Sequence, residues 1–175
     1  MSVPSWHEEP IGTGHDRAAF DCGQPALNEF LGRYARQSHD LGGAKTFVAV
    51  EDGNTRRILG FYTVSPGALL YARTPATVRR GLGRHDVPVF RLARLAVDVT
   101  FQGKGLGGQL LLAAGRRCLQ VSTEVGGVAM LIDAKDEDAA RWYETFGAIR
   151  LEDAALSLLL PLATIAAALT AGSGR

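Results

Sequence analysis

The sequence predicts an α+β fold, a mixed and mostly antiparallel sheet with a central βαβ unit and flanking helices. Three observations lead there. Two β-rich runs flank a tight-turn signal at Asp52-Gly53-Asn54, a glycine-rich loop joins a strand-like run to an apolar helix, and a further strand-like run follows that helix. The 175 residues fit a single domain, residues 1–175, able to bury roughly 70% of the surface its unfolded form exposes. No internal repeat or low-complexity linker divides them.

In chain order, Pro25 suits a first helical turn, and Leu27, Phe30, Leu31, Tyr34 and Ala35 follow at helical spacing as one amphipathic face. Runs 46–50 and 58–64 form the predicted hairpin, so antiparallel strands open the sheet. Strand 89–97, helix 105–120 and strand 128–134 make the βαβ unit, whose two strands must then be parallel. A short helix over 138–146 and one or two strands within 149–160, around Glu152-Asp153, complete the series.

Composition narrows the class. The chain is 46% hydrophobic and 21% charged, the balance of a folded globular protein. Cys22 and Cys118 stand far apart with no Cys or His cluster, so neither a disulfide framework nor a metal site is implied, and a reducing cytoplasm suits them. Residues 1–16 lack the basic-then-apolar order of a signal peptide. The apolar stretch 156–169 spans ~14 residues against the ~20 a membrane helix needs, and Pro161 interrupts it. A buried strand followed by a packed terminal helix is expected there, with no membrane role.

Net charge is only +1, yet Arg73, Arg79, Arg80, Arg84, Arg91 and Arg94 gather with Asp86 as the lone acid among them. Such a cluster attracts phosphate backbones; the alternative is a solvated loop.

The chemistry centres on Gln102-Gly103-Lys104-Gly105-Leu106-Gly107-Gly108. Glycines allow a sharp turn, and the amides at a helix start, aided by its dipole, attract a pyrophosphate. A P-loop is excluded, because Asp98 stands where its first glycine belongs and Gly105 where its hydroxyl belongs. Gly103, Gly105 and Gly108 do fit G-x-G-x-x-G, with Asp133 at the end of the next strand. Against a dinucleotide fold, 98–102 separate strand from glycine, and too little chain follows for a second nucleotide-binding half.

Gln102, Gly105 and Gly107 also satisfy Gln/Arg-x-x-Gly-x-Gly/Ala. Together with Arg94-Leu95-Ala96-Val97-Asp98, this resembles the coenzyme A loop of GNAT (acyl-CoA N-acyltransferase) enzymes. The likeness extends from about Phe20 to Ile165. Phe20-Asp21-Cys22-Gly23, Ala44-Lys45-Thr46-Phe47-Val48, Ala139-Ala140-Arg141-Trp142-Tyr143-Glu144-Thr145-Phe146-Gly147 and a closing strand over 158–165 resemble the toxin acetyltransferases of bacterial toxin-antitoxin pairs. Two positions depart from that pattern. Ala148 replaces an aromatic residue, which alters packing near Tyr143, and Ala163 replaces a lysine, which weakens a nucleic-acid contact.

The resemblance implies a GNAT fold and acetyl-CoA as cosubstrate. Its pyrophosphate would lie on amides from Gly103 to Gly108, with Lys104 adding charge, and its pantetheine arm would meet main-chain groups of Leu95, Ala96 and Val97. It further implies aminoacyl-tRNA as substrate, with a small DNA-binding antitoxin as partner and a homodimer as a compatible assembly; Arg73, Arg79, Arg80, Arg84 and Arg91 of the charge cluster are then the candidate RNA contacts. Attack by the acceptor amine is direct, so both cysteines are bystanders. The oxyanion meets an amide near Val97, and Tyr143 donates a proton to the departing thiolate. His7, His15, His39 and His85 are assigned to loops or termini, leaving no obvious base. That favours an α-amine (pKa ~8) over a lysine (~10.4) as acceptor. Two alternatives remain: an enzyme acetylating a small-molecule or protein amine, and a non-catalytic module that binds coenzyme or partner alone.

Overall fold

A computed structural model describes residues 2–173. Its strands are β1 (Trp6–Pro10), β2 (Lys45–Glu51), β3 (Asn54–Leu69), β4 (Val87–Val97), β5 (Ala129–Asp133), β6 (Ile149–Arg150) and β7 (Ser157–Pro161). The helices are α1 (Pro25–Glu29), α2 (Ala35–Leu41), α3 (Ala76–Arg79), α4 (Leu106–Val125), α5 (Glu137–Glu144) and α6 (Leu162–Ser173). Strand order is β1-β2-β3-β4-β5-β7-β6. The chain forms two compact units, Met1–Ser65 with Ala93–Leu111 and Pro66–Leu92 with Leu112–Arg175.

In the first unit the expected hairpin is present, with Thr46 opposite Thr63 and their buried hydroxyls 2.8 Å apart. β3 runs on to Leu69, past Pro66. Its ladder with β2 has ended at Lys45 opposite Val64, so the missing proline N–H deprives β2 of nothing. β1 was not legible in the sequence, and it corrects the loop assignment of His7. Its residues Trp6-His7-Glu8-Glu9-Pro10 show no apolar alternation, as an edge strand permits. Polar ties hold it instead: His7 lies 2.6 Å from both Asp52 and Glu9, and Tyr62 bonds Glu8. His39 sits on α2 rather than in a loop.

The predicted amphipathic helix after Pro25 is divided. A π-helical turn at Phe30–Tyr34 separates α1 from α2, and the extra residue rotates the face: Ala35 is fully buried while Tyr34 is 53% exposed. Phe30, Leu31 and Ala35 instead join Phe20, Val48, Val50, Ile58 and Phe61 in this unit's core.

In the second unit β4 and β5 pair in parallel from Val89 opposite Ala129 to Leu92 opposite Ile132, as the βαβ pattern requires. α4, which starts in the first unit, is four residues longer than expected and reaches Val125, and Leu106, Leu110, Ala114 and Cys118 bury one stripe at four-residue spacing. β7 pairs antiparallel with β5 and with the two-residue β6. The apolar stretch after Leu156 is a buried strand and then a helix, as expected, but the closing strand stops at Pro161, so 162–165 form the first turn of α6. Among the described residues no helix is long and apolar enough to cross a membrane.

Candidate active site

β4 outruns its ladder. After Leu92, the last residue of its ladder with β5 within the second unit, it continues through Leu95, Ala96 and Val97 in the first. Asp98 then caps a 3₁₀ turn at Val99–Phe101 by accepting from the Thr100 amide at 3.0 Å. Its second oxygen accepts from the Asp21 amide at 3.1 Å, and the Asp98 amide donates to Leu59 O at 2.9 Å.

The loop follows. Gly103 and Gly105 have φ of +74° and +88°, the left-handed region that favours glycine. Gly107 and Gly108 lie inside α4, whose first hydrogen bond of this turn runs from Gln109 N to Gly105 O. The amides of Leu106, Gly107 and Gly108 therefore have no intrahelical acceptor and point toward whatever sits at the helix start. Gln102 serves a purpose the sequence did not disclose: its side-chain amide donates to Cys22 O and to Val97 O, both at 2.9 Å, pinning the loop to the end of β4. Leu106 is fully buried and offers only backbone, while Lys104 is exposed. This geometry disfavours dinucleotide binding. A 3₁₀ turn intervenes between strand and glycines, and Asp133 is already bound to Arg91 Nη1 at 2.6 Å and to Ser157 Oγ at 2.8 Å, leaving no carboxylate oxygen dedicated to a ribose.

Tyr143 belongs to the second unit, on α5. Asp136 caps this helix by accepting from Ala139 N at 2.8 Å, so it begins earlier than expected. Arg150 on β6 grips both ends of α5, bonding Glu137 twice at 2.7 and 2.8 Å and Glu144 at 2.9 Å. Trp142 packs edge-on against the Tyr143 ring at 4.9 Å. The Tyr143 hydroxyl has no hydrogen-bond partner among the described residues, and burial pushes its pKa up to about 12. Ala148 is buried and its amide reaches Tyr143 O at 3.3 Å, so a small residue suffices there. Ala163 is exposed on α6.

The arginine cluster is less uniform than its spacing suggests. Arg73 pairs with Asp153 at 2.6 Å and Arg91 with Asp133, acids distant in sequence. Arg79 stacks over Tyr71 and donates to its carbonyl. Of the five arginines expected to contact RNA, Arg80 and Arg84 are the exposed ones without an ion pair among the described residues. Neither cysteine is placed as a nucleophile: both are buried, and burial pushes the Cys118 thiol up to about 12. Among the described residues no group of three His, Cys, Asp or Glu side chains could hold a metal ion.

A tRNA-acetylating toxin of Mycobacterium tuberculosis is 38% identical over 136 residues, covering 78% of this chain and 80% of that protein. The structure of AtaT complexed with acetyl-methionyl-tRNAfMet superposes with a TM-score of 0.87 at 25% identity, covering 94% of this chain and 99% of the other. A Tyr→Phe mutant of AtaT, bound to the C-terminus of the antitoxin AtaR and acetyl-CoA, gives 0.80 at 26% identity over 94% and 98%. The Acetyltransferase (GNAT) domain family matches residues 42–147, more than half of the sequence, and the chain belongs to the GNAT acetyltransferase family.

Proposed function

We propose that this acetyltransferase moves the acetyl group of acetyl-CoA to the α-amine of an aminoacyl-tRNA in the cytoplasm, as the translation-blocking toxin of a pair whose antitoxin is a small DNA-binding protein. The observation that carries the reading is the 38% identity to a tRNA-acetylating toxin over most of both chains. AtaT, similar over nearly its whole length, is known in complex with an acetylated aminoacyl-tRNA and with its antitoxin and acetyl-CoA. The GNAT family match over residues 42–147 takes in parts of both compact units, which supports reading residues 1–175 as one catalytic domain.

In this reading the amides of Gly103 to Gly108 hold the pyrophosphate, and Leu95, Ala96 and Val97 offer main-chain groups to the pantetheine arm. The amine nitrogen forms its bond to the acyl carbon while the carbon–sulfur bond breaks. An amide near Val97 stabilises the oxyanion, Tyr143 supplies the proton taken up by sulfur, and water carries away the proton lost by nitrogen. The histidines support a mechanism without a dedicated base. His15 is buried, accepting from Gly12 N and meeting Glu9, His7 lies between two carboxylates, and His39 accepts from Thr46 N. An α-amine is neutral often enough near pH 8 to react unaided.

Incubation with acetyl-CoA and charged tRNA should yield N-acetyl-aminoacyl-tRNA, read by mass spectrometry after nuclease digestion. Acetylation of free amines with tRNA untouched would reverse the substrate assignment. Acetyl-CoA should also raise stability by about 2.7 kcal/mol at ~100 times its Kd, a melting shift that a nicotinamide cofactor should not produce.

The exposed arginines support a phosphate-facing surface. Replacing Arg79, Arg80 and Arg84 with Ala should weaken tRNA binding and lower the salt slope by about one to two units, chiefly through Arg80 and Arg84. Filter binding across a salt series measures this; an unchanged slope would mean a solvated loop.

A further inference from the structure

Arg94 differs from every other arginine of the cluster. Its guanidinium lies over the Phe30 ring, with Cζ 3.7 Å from the centroid. Phe30 stacks in turn on Phe61 at 6.3 Å, and Phe61 meets Phe20 edge-on at 5.5 Å, all three rings buried in one core cluster. The cation is therefore seated on a fixed aromatic column. Burial pulls its pKa below the usual guanidinium value. Yet no carboxylate pairs with it and no hydrogen bond engages its N–H groups among the described residues, whereas Arg73 and Arg91 have acids at 2.6 Å. A partly desolvated charge without a counterion is costly, and a planar guanidinium held by one face keeps its donor edge available for a bidentate anion.

The position of Arg94 on β4 indicates which anion. From Arg94 to Asp98 the strand advances about 13 Å, and the 3₁₀ turn lies between that point and the glycine loop. A pyrophosphate on the loop amides is thus remote from Arg94. With the pantetheine arm along Leu95 to Val97, the upstream residues stand at the acyl end, where the acceptor enters. We propose that Arg94 binds a phosphodiester at the 3′ end of the aminoacyl-tRNA, fixing the acceptor beside the thioester. This rests on the acceptor being aminoacyl-tRNA, as argued above.

The test uses the full chain with Arg94→Met, which keeps reach and removes charge, and Arg94→Lys, which keeps charge and loses the plane. Affinity for aminoacyl-tRNA is measured across a salt series, together with kcat at saturating acceptor; acetyl-CoA affinity and melting temperature verify the fold. Arg94→Met should bind tRNA about 10- to 100-fold more weakly, the range of a charged hydrogen bond. Its salt slope should fall by about 0.7, and kcat/KM should fall by more than kcat. Arg94→Lys should keep the slope and recover part of the affinity. Unchanged affinity or slope in Arg94→Met, or a loss of kcat alone, overturns the assignment while leaving the tRNA reading intact. A wild type that neither binds nor acetylates aminoacyl-tRNA overturns both.

Discussion

Tyr143→Phe is expected to fold, to bind acetyl-CoA with wild-type affinity, and to transfer acetyl about 10²- to 10⁴-fold more slowly, roughly 3 to 5 kcal/mol of barrier. Phe keeps the ring that Trp142 packs against and removes only the hydroxyl, which has no partner within the described structure. Growth arrest on expression should vanish with the activity. Single-turnover transfer to aminoacyl-tRNA measures the effect, and equal rates at equal coenzyme affinity would reduce Tyr143 to a packing residue. The pH profile adds a separate check. Because burial raises the phenol to about 12, Tyr143 stays protonated through neutral and moderately alkaline pH. The rate should rise as the α-amine deprotonates near pH 8 and show no descending limb from Tyr143 below about pH 11.

Gly127→Ala is expected to cost about 2 to 4 kcal/mol of stability, a fall in Tm of roughly 5 to 15 °C for a chain of this size. Gly127 turns the chain from α4 into β5 at φ +127°, and a Cβ there would lie 2.3 Å from Cε2 and 2.7 Å from Cζ of Phe90. Phe90 is itself buried, opposite Met130 in the parallel ladder, so it has little room to retreat. Its neighbour Gly126 is the control: φ is +84° but nothing lies within 4 Å of a Cβ, so Gly126→Ala should cost only about 1 kcal/mol. Equal losses in thermal unfolding would mean that conformation, and not the Phe90 ring, governs this turn.

The elements read most accurately from the sequence were those whose signals are local. The hairpin about Gly53, the βαβ order and the glycine loop each follow from turn chemistry or periodicity within a dozen residues. What escaped depends on partners far along the chain. β1 is a polar edge strand made regular by β2 and by contacts such as His7 with Asp52. The π-helical turn cannot be seen in a 3.6-residue pattern, yet it decides that Ala35 and not Tyr34 faces the core. Arg73 and Arg91 look unopposed until folding brings Asp153 and Asp133 to them. In the site itself the glycines were legible because a positive φ has few other hosts. The side-chain bonds of Gln102 were not, since both acceptors are backbone carbonyls that no residue type reveals.

The buried Cys118 has a practical consequence for anyone handling the protein. With its thiol pushed to about 12, on the order of 10⁻⁵ of molecules carry the thiolate at pH 7, and only the thiolate is nucleophilic. Cys118 is thus insulated from thioester exchange with a coenzyme that is itself an acyl thioester, and it resists alkylation and glutathionylation for as long as α4 stays packed. Labelling of Cys118 by a pulse of iodoacetamide therefore registers opening of the helix, and a thiol reagent that abolishes activity by modifying this residue does so by trapping unfolded chains.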